Sequence, residues 1–150
     1  MPAFGRDEFL TPAQLADLVE FVSAISGRGG DAAAVDRAQS VFQDNCASCH
    51  GVSAKGDGPV HSFLVKPPSD LTTVARRNGG KFPQELMWEV IDGRWSGESG
   101  PHGSREMPVW GNEFKARAMT QTGDSPRTAE WSARNRIVSL LMYLETVQVP

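Results

Sequence analysis

The sequence predicts an all-α fold. Apolar positions recur at three- and four-residue spacing in several separate stretches, no stretch of convincing length alternates apolar with polar residues, and Gly or Pro stands at the ends of the periodic stretches. Thr11-Pro12 opens the first stretch, with Thr11 as N-cap and Pro12 at the first helical position. Leu15, Leu18, Val19, Val22 and Ile25 follow at helical spacing and Gly27 ends it, so a helix is expected over 12–26. Gly27-Arg28-Gly29-Gly30-Asp31 reads as a linker. A second helix is expected from about Ala33 to Asn45, with Ala34, Val35, Ala38, Val41 and Phe42 on one face. Residues 51–81 are rich in Gly, Pro, Ser and Lys and read as loop, with one short helix at Ser69–Arg76. Pro83 and Gly93 bracket a further helix, Pro83 to Ile91. The stretch from Ser96 to Gly111 reads as loop, and residues 117–129 as a polar surface insertion. The last helix is expected from about Thr128 to Val147, with Ile137, Leu140, Leu141, Leu144 and Val147 on one stripe.

A chain of 150 residues supports one domain with a real core and is too short for two independent ones. Residues 1–30 read as an extension and linker, and residues 31–150 as the main domain. No run of eighteen apolar residues occurs, so no membrane span is expected. Residues 1–8 lack a basic segment followed by an apolar one, so no secretory signal peptide is expected there. The net charge of -3 is unevenly placed: residues 1–34 carry five acids against two bases, whereas residues 46–110 carry seven of each. No basic block could track a phosphate backbone, which argues against nucleic-acid binding.

The only two cysteines lie in Cys46-Ala47-Ser48-Cys49-His50. No second Cys pair or His cluster completes a zinc site, and no strand or alternating α/β pattern frames a thioredoxin-like redox pair. The His directly after the second Cys fits the remaining reading, attachment of a c-type haem. In a helical turn, residues three apart share a face. The two thiols can then bond to two vinyl groups on one haem edge while His50 reaches the iron.

One axial position remains for Met87, Met107, Met119, Met142, His61 or His102. Met87 and Met142 fall at core-facing phases of expected helices and read as packing. Met119 lies in the polar insertion. Met107 sits in a loop stiffened by Pro108, 61 residues after Cys46, far enough for the chain to pass round to the opposite haem face. Met107 leads, with His102 and His61 as alternatives. A thioether ligand favours ferrous iron and raises the reduction potential.

Cys46-Ala47-Ser48-Cys49-His50-Gly51, then Gly56-Asp57-Gly58-Pro59, Pro67-Pro68-Ser69-Asp70-Leu71-Thr72 and Met107-Pro108-Val109-Trp110-Gly111, resembles the bacterial class I mono-haem cytochromes c. The resemblance covers residues 34–148. It implies a helical shell around one covalent haem c and its iron, thioethers at Cys46 and Cys49, and His50 and Met107 as axial ligands. It also implies that a proline carbonyl accepts a hydrogen bond from His50. Pro68 is the choice, with Pro67 and Pro59 open. The first and last helices of the shell are expected to cross, with Ala38 in place of the family's usual Gly facing Leu140, Tyr143 and Leu144. Trp110, Trp95, Arg77 and Arg94 are candidates to line the haem or meet its propionates. The segment Met1-Pro2-Ala3-Phe4-Gly5 and the helix after it resemble the tail of a preceding cytochrome c domain, as at the join in the multi-haem subunit of bacterial cytochrome oxidases.

With both axial positions filled, the iron keeps no open site for oxygen or peroxide. The expected role is therefore electron transfer rather than catalysis, as a soluble carrier or as a domain of a respiratory or dehydrogenase complex. The alternative is a haem enzyme or gas sensor with a labile distal ligand. Redox proteins, donor and acceptor unnamed, are the expected partners, meeting the haem edge near Val52, Lys55 and residues 103–110. Attachment of c-type haem points to the periplasm.

Overall fold

A computed structural model describes residues 32–93 and 107–150. The extension over 1–30 with its expected helix, and Arg94, Trp95 and His102, lie outside the described residues. All regular structure among the described residues is helical, which agrees with the all-α reading.

Helix α1 spans Ala32–Asn45. Its Ala38 and Phe42 are buried four residues apart, and Val41 packs beside them. The Cys46 amide still donates to the Phe42 carbonyl at 2.8 Å, so α1 runs almost directly into α2, Ala47–His50. Gly51 ends α2 at φ +77, where a side chain would strike the Asp57 carboxylate. A 3₁₀ turn at His61–Phe63 follows, too short to leave a periodic signal in the sequence.

The short helix expected at Ser69–Arg76 is a 3₁₀ turn, Leu71–Thr73, continuing into α3, Val74–Arg77. Asp70 starts it by accepting from the Thr72 amide at 2.8 Å. Helix α4 spans Gln84–Asp92 and stops at Gly93 in the left-handed region. Helix α5, Trp110–Arg117, departs from the sequence reading, which placed loop through Gly111 and a polar insertion from 117. Trp110, Phe114 and Ala118 are buried at four-residue spacing, and the Trp110 and Phe114 ring centroids lie 5.3 Å apart. That apolar ridge outweighs the polar composition around it. A π-turn, Ala118–Thr122, continues α5 to Gly123.

Helix α6 spans Pro126–Thr146 and so begins earlier than the expected Thr128. Ser125 is its N-cap, accepting from the Thr128 amide at 3.2 Å, and Pro126 takes the first turn, where its missing N–H costs nothing. Helix α6 packs against α1, α4 and α5. Phe42, Ile137 and Leu140 are among the largest fully buried side chains, and Phe42 meets Tyr143 at 5.0 Å between ring centroids. Ala38 shares this core with Leu140, Tyr143 and Leu144, so a methyl group stands where α1 meets α6.

Gln148 ties the end of α6 to the segment that follows Asp70. Its Nε2 donates to the Leu71 and Leu144 carbonyls at 2.8 and 2.6 Å, and its Oε1 accepts from the Ala75 amide at 2.8 Å. The Val149 amide adds a bond to the Thr72 carbonyl at 2.8 Å.

Candidate haem-binding site

The helical turn at Ala47–His50 places Cys46, Cys49 and His50 on the wall of one cavity. Met107, Pro108, Pro67 and Pro68 line the same cavity, with Phe42, Leu71, Met87, Ile91, Trp110, Leu140 and Leu144 among its apolar walls. The space between these walls, open solvent at the mouth included, is about 800 Å³. Five separate parts of the chain contribute: the α1–α2 junction, the 64–71 segment, α4, the 107–110 turn and α6.

The loop after α2 folds back onto it. The carbonyls of Ser48, Cys49 and His50 accept from the amides of Val60, Gly58 and Gly56 at 3.1, 3.1 and 2.8 Å. Gly58 lies against the Ser48 and Cys49 backbone, and Gly56, at φ +83, lies against the Pro68 carbonyl. Neither position has space for a Cβ. The Leu71 amide closes the loop on the Ala54 carbonyl at 2.8 Å.

His50 is buried, and its Nδ1 lies 3.2 Å from the Ser69 carbonyl. A carbonyl only accepts, so Nδ1 carries the proton and Nε2 keeps its lone pair. This bond falls one residue beyond Pro68, whose carbonyl instead faces Gly56. The sequence reading expected a proline acceptor. Asp70, the residue after Ser69, caps the turn that follows. Burial pushes the His50 pKa below its ordinary value, and the Ser69 hydrogen bond opposes that only in part. A neutral, oriented imidazole is what a metal ion requires of a histidine.

No disulfide joins Cys46 to Cys49. Burial, reinforced by the charge of Cys49, pushes the Cys46 thiol up to about 12. Cys46 is therefore held as a thiol in an apolar wall rather than as a thiolate, the form a metal-ligating cysteine would take. Among the described residues no cluster of three or more His, Cys, Asp or Glu offers a metal site. An apolar cleft, two adjacent thiols on one wall and an oriented imidazole suit a porphyrin. A bare cation would lack a ligand set here.

Of the candidates for the second axial position, Met107 is partly buried against the core and reaches the cavity. Met87 also reaches it, fully buried on α4, a placement the sequence reading treated as packing alone. Met119 is exposed and Met142 is not on the cavity wall. His61 is exposed, with Nδ1 2.8 Å from the Gly58 carbonyl. Trp110 lines the cavity, whereas the Arg77 guanidinium bonds Thr73 Oγ1 at 2.6 Å. Asn45, Leu64 and Lys66 also line the cavity and were not foreseen; their only sequence signal is proximity to the Cys and Pro-Pro motifs.

Residues 35–121 match the family described as Cytochrome c. Among curated proteins, the chain is 38% identical over 110 residues to the Cbb3-type cytochrome c oxidase subunit CcoP of Azospirillum brasilense, covering 73% of this chain and 33% of that protein. It is 54% identical over 56 residues to the corresponding CcoP of Rhodobacter capsulatus, 37% of this chain and 19% of the relative. It is 40% identical over 57 residues to the subunit FixP of Sinorhizobium medicae, 38% of this chain and 19% of the relative. The chain thus spans between a fifth and a third of the length of these relatives. No solved structure matches. The chain belongs to the cytochrome c family, whose members carry covalent haem.

Proposed function

We propose that this chain carries single electrons through one haem c, joined to Cys46 and Cys49 and ligated by His50 and Met107. The carrying observation is convergence: two thiols and a neutral imidazole from one helical turn, and a thioether 61 residues after Cys46, line one apolar cavity. When bound, the haem supplies one-electron chemistry at its iron. His50 holds Nε2 toward the metal because Ser69 holds Nδ1. Met107 would supply the second protein ligand, and Pro108 stiffens its backbone. Phe42, Leu71, Leu140 and Leu144 exclude water, which keeps the change in charge from reorganising solvent. With His50 and Met107 both holding the iron, no ligand position would be left for a substrate, and the role proposed is transfer rather than catalysis.

The similarity to CcoP and FixP supports a place as an electron-transferring domain of a respiratory oxidase, residues 31–150 forming that domain and residues 1–30 the tail of a preceding one. The periplasm follows, since thioether attachment is made outside the cytoplasm. Among the described residues no helix is long and apolar enough to cross a membrane. Redox partners meet the exposed edge around Val52, Phe63 and Val65, which are 74%, 84% and 91% exposed. Such contacts are small and transient.

The test is spectroscopic. Mature protein keeps its pigment through a denaturing gel, and its ferrous spectrum is low-spin and unchanged by carbon monoxide. A high-spin ferrous form that binds carbon monoxide at once would overturn the carrier reading in favour of a gas-binding one. A colourless mature protein would remove the haem itself.

A further inference from the structure

Arg117 stands at the end of α5, behind two residues of the cavity wall. Its Nη1 donates to Asn45 Oδ1 at 2.6 Å, and its guanidinium lies 5.7 Å from the centre of the Trp110 ring. Asn45 and Trp110 both line the cavity, and Asn45 directly precedes Cys46. The Asn45 amide cannot swing away, because its Nδ2 donates to the Val41 carbonyl at 2.7 Å. That bond also assigns the amide, leaving Oδ1 to face the guanidinium. Among the described residues no carboxylate forms an ion pair with Arg117; the acid nearest in sequence on α5, Glu113, is exposed. A hydrogen bond and a cation–π contact thus hold one positive charge against the outside of an apolar wall.

We propose that Arg117 is a fixed cation that raises the reduction potential of the group bound in the cavity. One-electron reduction, with the electron supplied by an external redox protein, removes one positive charge from the site. No bond forms or breaks and no proton moves. A cation fixed behind a low-dielectric wall therefore favours the reduced form. Asn45 and Trp110 act as positioning residues: the first fixes the distance from the Cys turn, and the second holds the guanidinium plane.

The inference rests on the haem reading, and the two fail differently. A mature protein without covalent pigment defeats the haem reading before any potential is measured. Given pigment, redox titration of purified holoprotein compares the parent with Arg117→Gln and Arg117→Lys. The Gln variant is expected to shift the reduced-to-oxidised ratio at fixed potential by roughly three- to tenfold, a tenfold shift being about 59 mV for one electron. The Lys variant restores most of it. An unchanged potential in the Gln variant, with only a lower unfolding midpoint, makes Arg117 a structural strut and overturns the proposal. If the Gln variant does not mature, Arg117→His decides. Its potential must fall away from that of the parent as pH rises from about 5 to 8, where an exposed imidazole loses its charge. Parallel curves for the two proteins would overturn the proposal equally.

Discussion

Replacing Gln148 tests whether the wall behind His50 is held from the far end of the chain. Its amide joins three backbone groups: the Leu71 and Leu144 carbonyls and the Ala75 amide. Gln148→Met keeps the length of the side chain and removes all three bonds. Each net hydrogen bond contributes about 0.5–1.5 kcal/mol. Gln148 is only half buried, so water replaces part of the loss, and the expected cost is about 2–3 kcal/mol. Urea unfolding of the holoprotein, followed by helical circular dichroism, should show a midpoint lowered by about 1–2 M with an unchanged slope. Gln148→Glu should be worse at neutral pH, because an anionic oxygen then faces two carbonyls, and should recover as the carboxylate protonates. A Met variant within about 0.3 M of the parent, or a Glu variant equal to the Met variant at every pH, would show that the three contacts carry no stability.

Three further outcomes follow from the same geometry. Met107→Ala should give a high-spin, carbon monoxide-binding ferrous spectrum and a lower potential, whereas Met87→Leu should keep the parent spectrum; the reverse pattern would move the ligand to α4. Gly56→Ala puts a methyl group against the Pro68 carbonyl at φ +83, and should cost roughly 2–4 kcal/mol in urea titration. The hydrogen bond from the Thr72 hydroxyl, then the one from its amide and the charges of Arg77 and Lys55, hold the Asp70 carboxyl below its ordinary range. Its contribution is therefore complete above the unfolded value of about 4 and is lost as pH falls through the lower folded value. The thermal midpoints of the parent and Asp70→Asn should converge as pH drops from about 6 to 3; a constant gap would refute the linkage.

The helices that were legible in the sequence are those whose apolar stripe and end signals agree. Helix α1 shows Ala38 and Phe42 at helical spacing, and α4 has Pro83 before it and Gly93 after it. Helix α5 was missed although Trp110, Phe114 and Ala118 carry the period, because Gly111, Asn112 and three charged residues hid a ridge only one residue wide. The start of α6 was misplaced because Ser125-Pro126, a cap and first-turn pair, was absorbed into a stretch judged polar. The Cys motif was legible because its chemistry resides in side chains. The Ser69 acceptor was not, because every residue offers a carbonyl and side-chain chemistry does not say which one turns inward. Met87 shows the converse limit: a core-facing phase does not say whether the core is protein or cavity.

The folding-back of residues 51–60 bears on the order in which this molecule is assembled. Carbonyls of three consecutive residues in the Cys turn are taken by amides six to twelve positions downstream. The turn therefore reaches its final shape only after residue 60 has emerged and doubled back. A chain stopped short of residue 56 would lack all three of these bonds, so the Cys turn cannot be held in shape ahead of the loop that follows it.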